Sequence, residues 1–250
     1  MKQRRQGKGV VYLVGAGPSD AELITVKGKR LLEEADVIVY DRLVGSSVLS
    51  YGNNEAEYID VGKRSGFHPI PQEEINKILA AEAEKGGKIV RLKGGDPLVF
   101  GRGAEEAEYL NAQGIAFEIV PGITSAVSVP AYLGIPVTHR DMASSFHVVT
   151  AHKKDGSFPD ISYDALVKGG GTLVFLMGVH TVKDVAEGLL EKQYASRDTG
   201  CCPGERDNGK AAENQRNHCR HCPESIGREG TVPGHHSCRA GCRRRPNGVV

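Results

Sequence analysis

Short apolar runs rich in β-branched residues alternate, along residues 10–193, with longer segments that have helical spacing. Val10–Val14 is wholly apolar, as expected of a strand buried on both faces of a parallel sheet. Pro71–Gly87 has proline at its start, glutamate in its first turn and glycine at its end, which is typical of a capped helix. This strand–helix alternation predicts an α/β fold with a largely parallel sheet.

The same alternation continues to the end of this region. A polar link near Pro136–Ala143 predicts a boundary between an N-terminal α/β domain, residues 1–138, and a second α/β domain, residues 139–199. Further strands are predicted at Asp36–Tyr40, Lys88–Leu92, Phe117–Gly122, Ser145–His152 and Thr172–Gly178, and further helices at Thr25–Ala35, Gly103–Gly114, Ser125–Gly134, Asp164–Gly170 and Thr181–Gln193.

The composition changes abruptly near Gly200. Residues 200–250 contain no Leu, Phe, Tyr, Met or Trp, and all six cysteines of the chain lie at or beyond Cys201. A segment this poor in large apolar side chains cannot offset the entropy of ordering it, so residues 200–250 are predicted to be a disordered tail. Within it, HCRHC (residues 218–222) has the spacing of zinc ligands, although no metal site is predicted.

Charge and hydropathy exclude several classes of protein. The net charge of +1 gives no global attraction to nucleic acid or to a membrane surface. The sequence has no apolar run of membrane-spanning length and no signal-peptide pattern, and residues 1–199 contain no cysteine. These features predict a cytoplasmic protein without disulfides, nucleic-acid partners or membrane partners.

Glycine-rich loops follow most of the predicted strands. Ligands of open α/β sheets bind beyond the carboxyl ends of the strands, so these loops are candidate binding elements. The loop at residues 15–20, GAGPSD, lacks the third glycine of a dinucleotide fingerprint and contains Pro18, which argues against an NAD-linked dehydrogenase. In the loop GGDP, two glycines permit close approach of a ligand, and Asp96 either accepts from a ribose hydroxyl or amine, or caps a turn.

Several of these loops carry a family resemblance. Residues 9–199 resemble the tetrapyrrole (precorrin) methyltransferases, and VGKR, His68 and QEEIN (residues 72–76) are similar to the members that act on uroporphyrinogen III. Ser19 is a departure, because the family commonly has glycine there. The stretches that carry the resemblance are residues 11–28, 35–44, 61–76, 90–106, 120–126, 134–140 and 175–178.

The resemblance implies a fold and a reaction. The implied fold has two α/β domains with a ligand cleft between them, and the implied assembly is a homodimer. S-adenosyl-L-methionine is the implied methyl donor and co-substrate. The implied reaction is methylation of uroporphyrinogen III at carbons 2 and 7, giving precorrin-2 for siroheme and cobalamin biosynthesis.

By its motifs, the resemblance also assigns roles to residues. Asp41 corresponds to a proton acceptor and Lys63 to a proton donor. Because the substrate carries carboxylates, we expect some cations on the same loops to bind them, as the planar fork of arginine does well. These cations are Arg42, Arg64, His139 and Arg140. The methyl donor is assigned to Pro18, Gly94, Gly95, Asp96, Val99, Thr124, Ser125 and Met177.

Other functions remain open at this point. The nearest is another methyltransferase of the same fold, acting on a later precorrin, a diphthamide intermediate or ribosomal RNA. From other classes, a zinc-dependent binding protein would use the tail, and an NAD-linked dehydrogenase would bind a nicotinamide cofactor. An inactive, truncated variant of the methyltransferase is a further alternative.

The tail itself has an explanation in the genetic code. When the last two bases of each codon are read with the first base of the next, residues 206–214 can encode GTTAKQRKI and residues 234–242 can encode AIILVGQVV. Both resemble the family, and the second is an apolar strand. The sequence therefore predicts that residues 200–250 are a frameshifted translation that begins at or just after Thr199, and that this chain lacks part of its second domain.

Overall fold

The computed structural model of the protein describes residues 7–62, 70–152 and 159–191, and the backbone of residues 199–200 and 248–249. These residues form strands and helices that largely alternate. In chain order they are β1 (Val10–Gly15), α1 (Val26–Glu33), β2 (Val37–Tyr40), α2 (Ser46–Leu49), β3 (Glu57–Asp60), α3 (Gln72–Glu84), β4 (Lys88–Lys93), α4 (Gly103–Ala112), β5 (Ala116–Val120), α5 (Ser125–Tyr132), β6 (Phe146–Thr150), α6 (Tyr163–Gly169), β7 (Thr172–Leu176), α7 (Val182–Glu191), β8 (Thr199–Gly200) and β9 (Gly248–Val249).

Backbone contacts divide the chain into two compact units. One contains the described residues up to Ser125, and the other contains those from Ala126 onward. The first unit has a five-stranded parallel sheet in the order β3-β2-β4-β1-β5. In its centre, Val10 of β1 lies opposite Lys88 of β4 on one side and Ala116 of β5 on the other.

Apolar side chains cover both faces of this sheet. On one face, Leu13 and Ile89 pack with Leu79 of α3 and Leu110 of α4. On the opposite face, the buried strand residues pack with α1 and α2, and Leu32 of α1 is fully buried there. Burial of each such side chain stabilises the fold by about 1.5–3 kcal/mol. Consecutive residues of a strand face opposite sides of the sheet. Because helices cover both sides, the buried strands are continuous apolar runs in the sequence.

Local signals in the sequence set the ends of the helices. Thr25 caps α1, its hydroxyl accepting a hydrogen bond from the backbone N–H of Gly28 at 3.0 Å. Pro71 stands immediately before α3, and Glu73 and Glu74 lie in its first turn, where carboxylates stabilise the positive end of the helix dipole. Both helices therefore begin within one or two residues of the predicted positions.

The second unit has a smaller parallel sheet in the order β6-β7-β9-β8. Leu173 of β7 is fully buried and packs with Val185 and Leu189 of α7. The two-residue strands β8 and β9 are the only parts of residues 192–250 that are described. The HCRHC motif and the rest of the tail that was predicted to be disordered lie outside the described residues.

The predicted fold class is confirmed: both sheets are parallel and helices connect the strands. The domain boundary near residue 138 and the cleft between domains stay predictions. Four elements were absent from the prediction: the edge strand β3, the single-turn helix α2 and the two-residue strands β8 and β9. In the part of the chain that the structure describes, no helix has the length and apolar character needed to cross a membrane.

Candidate functional site

The carboxyl ends of the five parallel strands in the first unit meet at one edge of the sheet. The loops that follow β1, β2, β4 and β5 are the glycine-rich motifs of the sequence analysis, and the structure brings them together there. Gly17 and Gly95 form an antiparallel bridge, in which each backbone N–H donates to the other residue's carbonyl, at 3.1 and 2.8 Å. The loop after β1 is thereby joined to the loop after β4.

The loop after β5 packs against both of these loops through bare backbone. A Cβ atom placed on Gly122 would lie 2.2 Å from the carbonyl oxygen of Gly95 and 2.7 Å from the Cα of Gly15. A Cβ on Gly15 would likewise lie 2.5 Å from the amide nitrogen of Gly122. Only glycine permits contacts this close, so the three loops form one tightly packed backbone surface.

Asp96 ties this surface together. Its Oδ2 accepts a hydrogen bond from the backbone N–H of Gly122 at 3.0 Å, and its Oδ1 accepts from the N–H of Leu98 at 2.8 Å. Of the two roles that the sequence left open, the structure shows the turn-capping one. Each carboxylate oxygen can accept more than one hydrogen bond, so these contacts leave acceptor capacity for a ligand.

The loop after β2 carries Asp41 and is tied to the loop after β1. Ser19 Oγ donates to the carbonyl oxygen of Leu43 at 3.0 Å, and Ser47 Oγ donates to the carbonyl oxygen of Ser19 at 3.1 Å. Ser19 has φ of 71°, a left-handed conformation that glycine adopts more readily than serine. Leu43 in turn lies against Gly94, whose Cβ would fall 2.6 Å from Leu43 Cβ.

The carboxylate of Asp41 is held at both oxygens. Oδ1 accepts from the backbone N–H of Leu43 at 3.0 Å, and Oδ2 accepts from Nη2 of Arg91 at 3.2 Å. The side chain of Asp41 is 23% exposed, whereas that of Arg91 is 3% exposed. Asp41 is therefore the part of this ion pair that a ligand at the sheet edge can reach.

A buried cluster of charges lies behind Asp41. Oε1 of Glu106, on α4, accepts from Nε of Arg91 at 3.1 Å, from Nζ of Lys93 at 3.0 Å and from Nε2 of Gln72 at 3.0 Å. Burial lowers the pKa of Lys93 and the positive charge of Arg91 lowers it further, while Glu106 and Asp41 act in the opposite direction. Among the described residues, Oε2 of Glu106 has no hydrogen-bond partner.

An exposed apolar turn borders the same edge. The loop between β4 and α4 folds back so closely that a Cβ on Gly103 would lie 2.4 Å from the carbonyl oxygen of Pro97. This presents Leu98, Val99 and Phe100 to solvent, with exposures of 53%, 36% and 45%. Three adjacent exposed apolar side chains beside bare glycine backbone are suited to contact the flat apolar face of a ring system.

The structure places most of the predicted site residues on this edge. Lys63 and Arg64 lie outside the described residues. In the second unit, Met177 follows β7 with φ of 60° and 54% exposure, and His139 and Arg140 line a surface depression there. Predicted residues that lie on the loops at the sheet edge of the first unit are Pro18, Asp41, Arg42, Gly94, Gly95, Asp96, Val99, Thr124 and Ser125.

The buried cluster of Arg91, Lys93 and Glu106 was not predicted from the sequence. A signal for it existed, because Arg91 lies in the predicted strand Lys88–Leu92 and Lys93 follows two residues later, so both side chains face one side of the sheet and need partners there if that side is buried. No sequence spacing identifies that partner as Glu106. The described residues contain no group of three or more His, Cys, Asp and Glu side chains arranged to bind a metal.

A model of the tetrapyrrole (corrin/porphyrin) methylases matches residues 10–202 of the chain. The chain belongs to this family. The uroporphyrinogen-III C-methyltransferase of Priestia megaterium is 51% identical over 183 residues, which cover 73% of this chain and 77% of that protein. The siroheme synthase of Escherichia coli (strain K12 / DH10B) is 50% identical over 184 residues, but these cover only 40% of that longer protein.

A solved structure agrees with the assignment. The uroporphyrin-III C-methyl transferase from Thermus thermophilus, solved in complex with S-adenyl homocysteine, is 42% identical and superposes with a TM-score of 0.65. The match covers 76% of this chain and 80% of that chain. The resemblance inferred from the sequence motifs is thus confirmed at the level of family and fold.

Proposed function

We propose that the chain is an S-adenosyl-L-methionine-dependent C-methyltransferase that converts uroporphyrinogen III to precorrin-2 by methylation at carbons 2 and 7. The main observation in support of this proposal is that four motif loops meet at one sheet edge, where Asp41 is held beside a backbone surface of packed glycines. The names of the Priestia and Thermus proteins support the same substrate and methyl donor.

The residues at this edge fit S-adenosyl-L-methionine. Gly94 and Gly95 present backbone without side chains, and Val99 is partly exposed and apolar, as an adenine ring requires. Thr124 and Ser125 bring hydroxyl groups to the start of α5, where backbone N–H groups also attract a carboxylate. When bound, this donor supplies a methyl group on a sulfonium. The chain's own contribution is to hold the acceptor carbon in line with it, which is worth roughly 7–11 kcal/mol in well-oriented reactions.

Asp41 accepts the proton in this proposal. Methylation of a pyrrole carbon leaves a cationic macrocycle that must lose a proton, and a fixed carboxylate is a suitable base. Arg42, next to Asp41, is exposed and its Cγ lies against Gly62; in this proposal its guanidinium binds a substrate carboxylate. Lys63 as proton donor and Met177, His139 and Arg140 as binding residues are part of the proposal on the strength of their motifs.

Transfer of a labelled methyl group tests the function. Two purified proteins, the chain as written and the chain with its reading frame restored after Thr199, are incubated with methyl-labelled donor and uroporphyrinogen III, and the product is identified by its mass and absorption spectrum. We expect two methyl groups per macrocycle, and we expect Asp41→Asn to lower kcat by about 100-fold or more, the contribution typical of a general base. Label transfer to a later precorrin, a diphthamide intermediate or ribosomal RNA instead would identify the alternative members of the fold.

We further propose a cytoplasmic homodimer that feeds siroheme or cobalamin biosynthesis, with the two-domain layout of residues 1–138 and 139–199. The name of the siroheme synthase relative supports the first of these pathways. Sedimentation of the purified protein at several concentrations tests the assembly, since a monomer at all concentrations would contradict a homodimer. If the protein is a monomer and is active, the homodimer proposal is wrong and the proposed reaction still holds.

For residues 200–250 we propose a frameshifted translation. The family match ends at residue 202, where the composition changes. Sequencing the coding DNA across Thr199 and Gly200 tests this directly, and we expect one extra base or two missing ones. If the written frame is correct, the cysteine-rich tail is genuine, and zinc stoichiometry in the purified protein becomes the measurement for the alternative of a zinc-binding tail.

A further inference from the structure

Arg91 is a buried cation in a central strand of the sheet. Its side chain uses three nitrogen atoms at once: Nε donates to Glu106, Nη2 donates to Asp41, and Nη1 donates to the carbonyl oxygen of Leu92 at 3.0 Å. The planar guanidinium has this fork geometry built in, and an ammonium group does not. The orientation of Arg91 is therefore fixed by protein groups on three sides.

Glu106 anchors the arginine from behind. It is fully buried, and its Oε1 receives hydrogen bonds from Arg91, Lys93 and Gln72. Gln72 also donates from Nε2 to Oδ1 of Asn76 at 2.9 Å. Gln72 and Asn76 are the first and last residues of the QEEIN stretch, so this motif connects through Glu106 and Arg91 to the carboxylate of Asp41.

Stability alone does not account for such a cluster. Burying an ionic group carries a desolvation penalty of several kcal/mol, and replacing buried ion pairs by apolar side chains is often neutral or stabilising. The other side chains of β1, β2 and β4 on this face are apolar, and Ile89 lies two residues before Arg91 in β4 while Leu110 lies one turn after Glu106 in α4. Within β4, the charges of the cluster lie at the end of the strand that borders the loop edge.

We propose that Arg91, anchored by Glu106, is a positioning residue that holds the carboxylate of Asp41 in the orientation needed to accept the substrate proton. This inference rests on the proposed role of Asp41. The backbone N–H of Leu43 holds Oδ1, and Arg91 holds Oδ2, so the carboxylate has a single orientation. Loss of one contact allows the side chain to rotate, and a displacement of about 1 Å at a reacting group lowers a rate by about 100-fold.

The test is a double-mutant cycle on methyl transfer. Arg91→Lys keeps the charge but cannot reach Glu106 and Asp41 in one plane, so we expect kcat to fall by roughly 10- to 100-fold, with KM for both substrates changed less than about 2-fold. In the Asp41→Asn background, the same substitution should change kcat by less than about 2-fold. Arg30→Lys, on the exposed surface of α1, is the matched control and should leave kcat unchanged.

The outcomes separate this inference from the proposed function. An equal loss of kcat from Arg91→Lys in both backgrounds, or no loss in either, contradicts the positioning role. Full activity of Asp41→Asn contradicts the proposed base, whatever Arg91 does. Crystal structures provide a readout independent of activity: the Asp41 carboxylate should leave its Leu43 contact or rotate in Arg91→Lys, and an unchanged carboxylate would overturn the inference.

A second variant covers the case in which Arg91→Lys does not fold. Gln72→Ala removes one of three donors to Glu106 without touching Arg91 or Asp41. Its effect on kcat should be smaller, roughly 2- to 10-fold, and should disappear in the Asp41→Asn background. Equal losses in the two backgrounds would contradict the chain of contacts from QEEIN to Asp41.

Discussion

Replacing Gly122 by alanine is expected to separate the three loops on which the candidate site is built. The added Cβ would lie 2.2 Å from the carbonyl oxygen of Gly95, whereas ordinary van der Waals contact begins near 3.4 Å. The loops must therefore move apart by about 1 Å. Such a shift stretches the hydrogen bonds of Gly95 with Gly17 and of Asp96 with Gly122 beyond useful length.

The magnitude follows from these two effects. Overpacking of a close-packed region costs about 1–3 kcal/mol. Each weakened hydrogen bond adds about 0.5–1.5 kcal/mol. Three bonds are weakened, two between Gly95 and Gly17 and one between Gly122 and Asp96, so we expect Gly122→Ala to lower the free energy of unfolding by about 2.5–7.5 kcal/mol, and the melting temperature by roughly 5–30 °C for a chain of this size.

Gly114→Ala is the matched control. Gly114 has φ of +62° and nothing within 4 Å of its would-be Cβ, whereas Gly122 has no positive φ and a severe clash. The control therefore carries only the left-handed strain, about 1 kcal/mol. The pair isolates the packing of the loops from the conformational preference of glycine.

Thermal unfolding and calorimetric binding of S-adenosylhomocysteine are the assays. Gly122→Ala should be the less stable variant and should bind this ligand more weakly than the wild type, because Thr124, Gly95 and Asp96 move with the loops. Gly114→Ala should bind with unchanged affinity. If the two variants lose equal stability and bind equally well, the close packing of glycine backbones does not build the site.

Two further predictions concern stability. Ser19→Ala loses the hydrogen bond to Leu43 and keeps the left-handed strain, whereas Ser19→Gly relieves that strain. Urea unfolding should therefore show the alanine variant to be less stable than the glycine variant by about 1 kcal/mol. The reverse order of stability would contradict the left-handed backbone conformation at Ser19. Because the pKa of Lys93 is lowered by folding, the unfolded chain binds more protons between that lowered value and about pH 10.5. The stability of the wild type relative to Lys93→Met should therefore rise with pH across this window, by at most about 1.4 kcal/mol per unit, and a flat difference would show that Lys93 is not desolvated.

Much of the fold was predictable because its strands are buried on both faces. Val10–Val14 carries apolar side chains to both sides, so its sequence identifies a central parallel strand without any tertiary information. The edge strand β3 was missed for the opposite reason. It pairs only with β2, and Glu57 and Tyr58 are exposed, so its sequence lacks the apolar pattern of a buried strand. The helix α2 is too short, at four residues, to show a helical period.

In the candidate site, the loops could be predicted from the sequence, but the hydrogen bonds between them could not. The motif loops identified Asp41 and Gly94, and the parallel topology alone placed their loops at one edge. The hydrogen bonds of Asp41 with Arg91 and of Arg91 with Glu106 were not predictable, because the partners are 50 and 15 residues apart and belong to different elements. Asp96 shows the same limit, since its hydrogen bond with the N–H of Gly122, 26 residues away, depends on how two loops meet.

The buried charges of β4 lie where the sheet borders the candidate site, and not in its apolar core. Along β4, Ile89 packs in the apolar core, while Arg91 and Lys93 lie on the same face nearer the loops. Side chains that break the apolar pattern of a strand reduce stability unless they are fully paired, and Oε2 of Glu106 is without a partner among the described residues. Violations of local rules are expected where a site needs them. We therefore expect an apolar replacement of Arg91 to release Oδ2 of Asp41, so that this carboxylate loses its fixed orientation even if the fold is preserved.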